Sequence, residues 1–188
     1  MRPTVFTVKR IAVAAAAVAG LAVAGPALAQ ESHPASIVLP KAAPPCQSSG
    51  IDDWVNTNGS AAAGTVFYHL EFTNLSGQAC TVQGFPFVFA VSLSGHQIGN
   101  RAVFNHVFPA NSVTVGNGKT IHAVLGIVDT GNFPTSACKP VTAAGLEVFA
   151  PTGINEVGRT VPFPFSACST RGSHAPNFLN VTPVHPGA

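Results

Sequence analysis

The side chains of this chain that could perform chemistry are its four cysteines, seven histidines and seven carboxylates. The cysteines lie 34, 58 and 30 positions apart, and none forms a Cys-x-x-Cys pair. Structural zinc sites are built from closely spaced ligand pairs, so we predict no zinc. In an oxidising compartment four cysteines predict two disulfides, with three possible connectivities. Pairing in sequence order would close two loops of just over thirty residues. The cysteines are Cys46, Cys80, Cys138 and Cys168.

The histidines form no recognisable metal motif. His69 and His122 fall on the polar faces of two strongly alternating segments, so they become cross-strand neighbours if those segments pair. Two imidazoles need a third ligand and orienting groups before they hold a metal. We therefore expect surface histidines without a role, no metal site and no cofactor.

The motifs of common catalytic sites are absent or incomplete. No Gly-x-Ser-x-Gly pentad occurs, which is where one large class of serine hydrolases carries its nucleophile. Gly118-Lys119-Thr120 resembles the end of a phosphate-binding loop, but Val113 stands where that loop needs glycine. We expect a β-turn there.

Each of the few carboxylates has an expected structural role. Asp52-Asp53 precedes the single tryptophan, Trp54, in an expected loop, where stacking on a sugar or packing over a disulfide are the two alternatives. Glu71 and Glu147 are expected to face solvent. Asp129 is expected to cap a turn. We therefore predict no catalytic residue and a protein that is not an enzyme.

The amino terminus has the three parts of a secretory signal peptide. Positive charges lie within residues 1–10, an uninterrupted apolar run follows from Ile11 to Ala24, and small residues precede position 30. The 14-residue apolar run would rise about 21 Å as a helix, too short for the ~30 Å hydrocarbon core. We predict a signal peptide over 1–29, cleavage between Ala29 and Gln30, and no membrane span afterwards.

Charge is scarce in the remainder of the chain. Removal of the leader takes away three of the nine basic residues and leaves six against seven acidic ones. The six are scattered singly, whereas electrostatic binding of nucleic acid needs a concentrated basic surface. We predict no nucleic-acid partner.

Short alternating segments separated by turn residues run through the rest of the chain. The clearest are Thr65–Thr73, with Leu70 on its apolar side, and Lys119–Val128, with Leu125. The pattern predicts an all-β, immunoglobulin-like antiparallel β-sandwich of about eight short strands. The predicted domain spans 46–183, after a Pro/Ala-rich linker at 30–45 and before a tail at 184–188. A helical turn is expected only near Thr142-Ala143-Ala144.

Phenylalanine is abundant, at 13 residues. Phe85, Phe87 and Phe89 share one parity, and Phe163 and Phe165 share another. We expect core packing to account for most of them. If both faces of a sheet carry phenylalanine, the remaining apolar patch would indicate a protein partner.

Several segments resemble the secreted actinobacterial "domain of unknown function 4232" family. They are Thr65–Asn74, Ser76–Pro86, Asp129–Phe133 and Cys138–Leu146. The resemblance covers about Cys46 to Pro183, and the four cysteines match in order, which supports sequential pairing. It implies an exported envelope domain with a β-sandwich fold and implies no activity.

These observations favour a secreted, non-enzymatic domain that acts by binding in the cell envelope or the extracellular space. The expected partner is an envelope protein or a glycan. Two alternatives remain open: a secreted hydrolase or hydrolase inhibitor, and a structural component of a cell wall or spore.

Overall fold

The computed structural model describes residues 42–153 and 156–187. The predicted signal peptide, its cleavage site between Ala29 and Gln30, and the linker up to residue 41 lie outside the described residues. No helix in the described ranges is long and apolar enough to cross a membrane.

Within these ranges the chain is almost entirely β-structure. A single turn of α-helix, α1 (Thr135–Cys138), and two 3₁₀ turns at Ser48–Gly50 and Thr130–Asn132 are the helical elements that it contains. The strands are β1 (Ile51–Ala62), β2 (Thr65–Asn74), β3 (Cys80–Gln83), β4 (Phe87–Val91), β5 (Gln97–Ile98), β6 (Val103–Phe104), β7 (Ser112–Val115), β8 (Thr120–Val128), β9 (Pro140–Phe149), β10 (Arg159–Cys168), β11 (Leu179–Val181) and β12 (His185–Pro186). The all-β prediction is confirmed, with several two-residue strands beyond the eight expected.

The strands form two main sheets and a small one. The first sheet has the order β1-β2-β8-β11-β6, and β12 also pairs with β8. The second has the order β10-β9-β4-β5, and β3 and β7 form a separate pair. All pairs of named strands are antiparallel except β11 with β6.

One apolar cluster lies between the sheets. Leu70 of β2 faces Ala123 of β8 in register, and Leu125 lies two residues further along the same side. All three are fully buried, as are Leu146 and Val148 of β9 in the second sheet. The alternation read for β2 and β8 therefore assigns the inward side correctly.

The two disulfides join sequential cysteines. Cys46–Cys80 ties the segment entering the domain to β3, and Cys138–Cys168 ties α1 to the end of β10. All four cysteines are buried. In the chain-entropy model, loops of 34 and 30 residues each contribute roughly 3–4 kcal/mol of stabilisation.

Three expectations about local structure are wrong. Asp52-Asp53 and Trp54 lie in β1 rather than in a loop, because β1 pairs with β2 from Ile51 onward. Thr142-Ala143-Ala144 belongs to β9, since pairing with β10 overrides the helical preference of alanine. Paired structure also continues past residue 183, because β12 lies on β8 and Val184 is buried.

Candidate functional site

The outward side of the second sheet carries phenylalanine. In β4, Val88 and Ala90 are buried in the core, whereas Phe87 and Phe89 occupy the other side of the strand. Core packing therefore does not account for these two residues, whereas Phe72 and Phe178 are buried in the core. The smaller side chains fill the interior because the facing positions on β9 are already large, as at Leu146 opposite Ala90.

Five rings lie at this surface, which we call the aromatic face: Phe104 of β6 contacts Phe85 and Phe87, and Phe89 contacts Phe149. Neighbouring rings have centroids 4.6 to 6.1 Å apart, within the usual range for aromatic pairs. Phe87 and Phe104 remain 40% and 38% exposed. The members of the face are Phe85, Phe87, Phe89, Phe104 and Phe149.

A groove of about 260 Å³ runs into the aromatic face. Phe87, Phe89 and Phe149 line it, together with Arg101 and Glu156. The Arg101 guanidinium lies 5.9 Å from the centre of the Phe87 ring, a cation–π contact. Among the described residues Arg101 makes no ion pair, since the single pair found joins His69 and Glu71.

The outward side of the first sheet carries a histidine cluster, made of His69, His122 and His185. The rings of His69 and His122, at diagonal positions of the paired strands β2 and β8, are stacked with centroids 4.2 Å apart. His185 of β12 faces His122 in register, and their ring centroids are 6.0 Å apart. His122 Nδ1 donates a hydrogen bond to the Gly187 carbonyl, which places the proton on Nδ1.

Glu71 lies beneath this cluster and is buried, at 1% exposure. The expectation that Glu71 faces solvent is wrong, although its side of the strand was assigned correctly. In register it lies between Trp54 of β1 and His122 of β8. Glu71 Oε1 is 3.8 Å from His69 Nδ1, while Glu71 Oε2 has no hydrogen-bond partner. A carboxylate is therefore held out of water on the outer side of the sheet.

His185 joins the cluster to the loop before β7. Its ring meets Phe108 edge to face at 4.5 Å, and its Nε2 is buried without a partner. Burial, followed by the neighbouring His122, lowers the pKa of His185 below its usual value. Nothing in the sequence around His185 indicated this role, because only strand pairing brings it to His122.

The described residues contain no group of three or more histidine, cysteine or acidic side chains placed to hold a metal ion. The cluster is therefore an array of imidazoles over a carboxylate rather than a coordination sphere. Its polar atoms are available for binding and moving protons.

The other candidate residues have structural roles. Asp129 caps a 3₁₀ turn by accepting from the Gly131 N–H at 2.8 Å, as predicted. Gly118 has φ +70° in the turn that leads into β8, and the segment after it is a strand rather than the helix that a phosphate-binding loop requires. Glu147 accepts a hydrogen bond from the Thr160 hydroxyl on the neighbouring strand at 2.7 Å.

Asp53 is a second poorly solvated carboxylate, on the core side of β1 opposite Phe72. Its Oδ1 has no hydrogen-bond partner. Burial raises the pKa of Asp53 from 3.8 to about 7, against the lowering effect of Arg159. The Arg159 guanidinium donates to the Ser48 and Ser49 carbonyls instead.

The fold and these surfaces define a disulfide-bonded all-β domain with one apolar outer face and one polar, histidine-rich outer face. No curated protein and no solved structure matches the chain. A family model, "Domain of unknown function (DUF4232)", matches residues 46–185. The chain belongs to this family, as the sequence resemblance indicated.

Proposed function

We propose that this domain is exported and works as a non-enzymatic binding module, and that the groove of the aromatic face receives an apolar segment of another protein. The observation that carries the proposal is the exposure of Phe87 of β4 and Phe104 of β6, whose ring centroids lie 5.5 Å apart. Exposed aromatic rings keep their hydrophobic driving force available for a partner.

The lining of the groove favours protein over glycan. Three of its five lining residues are phenylalanines without hydrogen-bonding groups. A sugar would leave many hydroxyls unpaired against them, which costs free energy for each buried polar group. An apolar peptide side chain meets the three rings without that cost.

Arg101 indicates that the partner carries a negative charge next to its apolar side chain. Its guanidinium lies beside Phe87 and makes no ion pair in the described residues. A carboxylate in the partner next to the apolar side chain would complete that charge with a charge-assisted hydrogen bond. We therefore expect an apolar residue flanked by Asp, Glu or a chain-terminal carboxylate.

Export rests on separate grounds. The signal-peptide pattern of residues 1–29 and the two disulfides both suit an oxidising compartment outside the cytoplasm. Mass spectrometry of the protein from culture medium should find Gln30 at the amino terminus. An intact Met1 on the recovered protein would contradict this part of the proposal.

The binding proposal is tested by affinity capture from culture supernatant and cell wall with residues 30–188 as bait. The captured protein is identified, purified and titrated against the wild type and Phe87→Ala by calorimetry. We expect at least a tenfold loss of affinity for Phe87→Ala, since buried aromatic anchors dominate interfaces. Arg101→Met should lose less.

Leu75→Ala is the matched control, because Leu75 is an apolar residue that is 62% exposed outside the aromatic face. This control should bind its partner like the wild type. Equal affinity of Phe87→Ala and wild type would rule out the aromatic face. Retention of a cell-wall glycan in place of a protein would support the glycan alternative and reject ours.

A further inference from the structure

The last described residues are held to the sheet mainly at the histidine cluster. β12 contains only His185 and Pro186, which lie opposite His122 and Ile121 of β8. Gly187 accepts the hydrogen bond from His122 Nδ1. The Val184 N–H donates to the Gly84 carbonyl at 3.0 Å. Val184 is buried in the core, so the weakly held segment is residues 185–187, which can open locally at much lower cost than the core.

The outer side of the first sheet near this segment has more imidazoles than carboxylates. Glu71 is a single buried carboxylate facing three imidazoles, and Asp52 lies on the same side of the sheet at the position of β1 opposite Thr73. The neighbouring loop contributes Phe108 to His185, while its own His106 packs on Phe85 instead. The titratable groups of this outer side are, by strand, Asp52 of β1, His69 and Glu71 of β2, His122 of β8 and His185 of β12.

We propose that the histidine cluster is an acid-sensitive latch, which holds residues 185–187 on β8 at neutral pH and releases them when His185 becomes protonated. The latch consists of His122 and His185 at the junction of β8 and β12, with Glu71 as the balancing charge. It responds to the pH of the surroundings without a ligand or a metal.

Stacking makes multiple protonation of the docked state unfavourable. His69 and His122 are 4.2 Å apart between ring centroids, and His185 follows at 6.0 Å from His122. The nearby Glu71 carboxylate balances one positive charge, and a second imidazolium at these distances meets repulsion. Departure of His185 with β12 relieves that repulsion and restores its hydration.

The direction of the response follows from linkage. His185 has a lowered pKa while β12 is docked, because it is desolvated and lies beside His122. The released segment therefore binds the proton more tightly than the docked segment. Docking is complete above the ordinary histidine pKa of about 6.5 and weakens as the pH falls below it.

The test is the backbone order of the segment in the mature chain, residues 30–188, measured by ¹⁵N relaxation at pH 7.5 and 5.0. The amides of His185 and Gly187 should be ordered at pH 7.5. At pH 5.0 these amides should lose their order, because the released segment binds the proton more tightly than the docked segment. Core amides such as those of Leu70 and Leu125 should not change.

Two variants make the response specific to the cluster. His185→Phe keeps a ring against Phe108 but cannot be protonated, so the segment should stay ordered at both pH values. Glu71→Gln removes the balancing charge, so release should begin at a higher pH. His96→Ala changes an exposed histidine in the turn after β4 and should leave the midpoint unchanged.

Each contrary result overturns the latch. An equally ordered Gly187 at both pH values in the wild type would mean that protonation does not reach the segment. Acid release that persists in His185→Phe would place the control elsewhere. Loss of core amide dispersion together with the segment would mean global acid unfolding rather than local opening.

Discussion

The two outer faces of the sandwich differ in burial: one buries a charged side chain, and the other exposes an apolar one. On the first sheet a carboxylate, Glu71, is buried to 1% exposure beside histidines. On the second sheet an apolar ring, Phe87, remains 40% exposed. Each arrangement costs free energy, because a buried unpaired oxygen loses hydration and an exposed ring orders water. Such costs are typical of sites that bind a partner or respond to pH. We therefore propose binding at the aromatic face and proton sensing at the histidine cluster.

Substitutions in the core should cause the largest losses of stability, and the loss should be similar for the two sheets. Leu125→Ala in β8 and Leu146→Ala in β9 each remove a fully buried side chain and should destabilise the domain by about 2–5 kcal/mol. Chemical denaturation of the disulfide-bonded protein measures this. If only one of the two substitutions destabilised the domain, the two sheets would not share a core. Their outer faces could then not be compared directly.

Asp53 is a poorly solvated carboxylate on the inner side of the first sheet, and it can be compared with Glu71 on the outer side. Burial raises the pKa of Asp53 to about 7 in the folded domain, against an ordinary value of 3.8 in the unfolded chain. The folded state therefore binds more protons between these values, so stability falls as the pH rises from about 4 to 7 and is flat above. Three pKa units correspond to at most about 4 kcal/mol.

Asp53→Asn should remove this pH dependence. The variant should match the wild type near pH 4 and exceed it at pH 8, by up to the same ~4 kcal/mol. Denaturant unfolding of both proteins at the two pH values decides the matter. Equal stability at pH 8 would mean that Asp53 ionises in the folded state without cost.

Glu71→Met tests whether burial of the Glu71 carboxylate on the outer side reduces the stability of the domain. Methionine has a similar length and no polar atom to leave unpaired beneath Trp54 and His122. At pH 8 we expect stabilisation of about 1–2 kcal/mol. Thermal unfolding shows it as a higher Tm. A clear loss of stability would instead identify Glu71 as a net stabilising partner of His69.

Phe87→Ser should produce the smallest change in stability. Its ring is already partly in water and contributes no side chain to the core, so the free energy of unfolding should change by only about 0.5–1 kcal/mol. Retained stability together with lost partner binding is the combination expected of a binding surface. A loss comparable to Leu125→Ala would show that Phe87 supports the fold.

Alternation predicted much of this architecture because period-two patterns report which residues share a side of a strand. It assigned Leu70 and Leu125 to the core and placed His69 and His122 together, and the structure confirms both. It failed for β1, whose residues 51–62 carry no clear alternation and pair with β2 at the edge of the sheet. Pairing is a long-range property, so composition in a short window could not reveal it.

The sequence alone determined the all-β class, two disulfides and family membership, because strand periodicity, cysteine number and local motifs are carried by residues near one another in the chain. Only the tertiary structure decided that Glu71 is buried, that Phe87 and Phe89 point away from the core, and that His185 joins His122. The physical reason is that alternation separates the two sides of a strand but does not state what covers each side. That cover comes from strands far away in sequence, so the chemistry of both outer faces depends on how the sheets assemble.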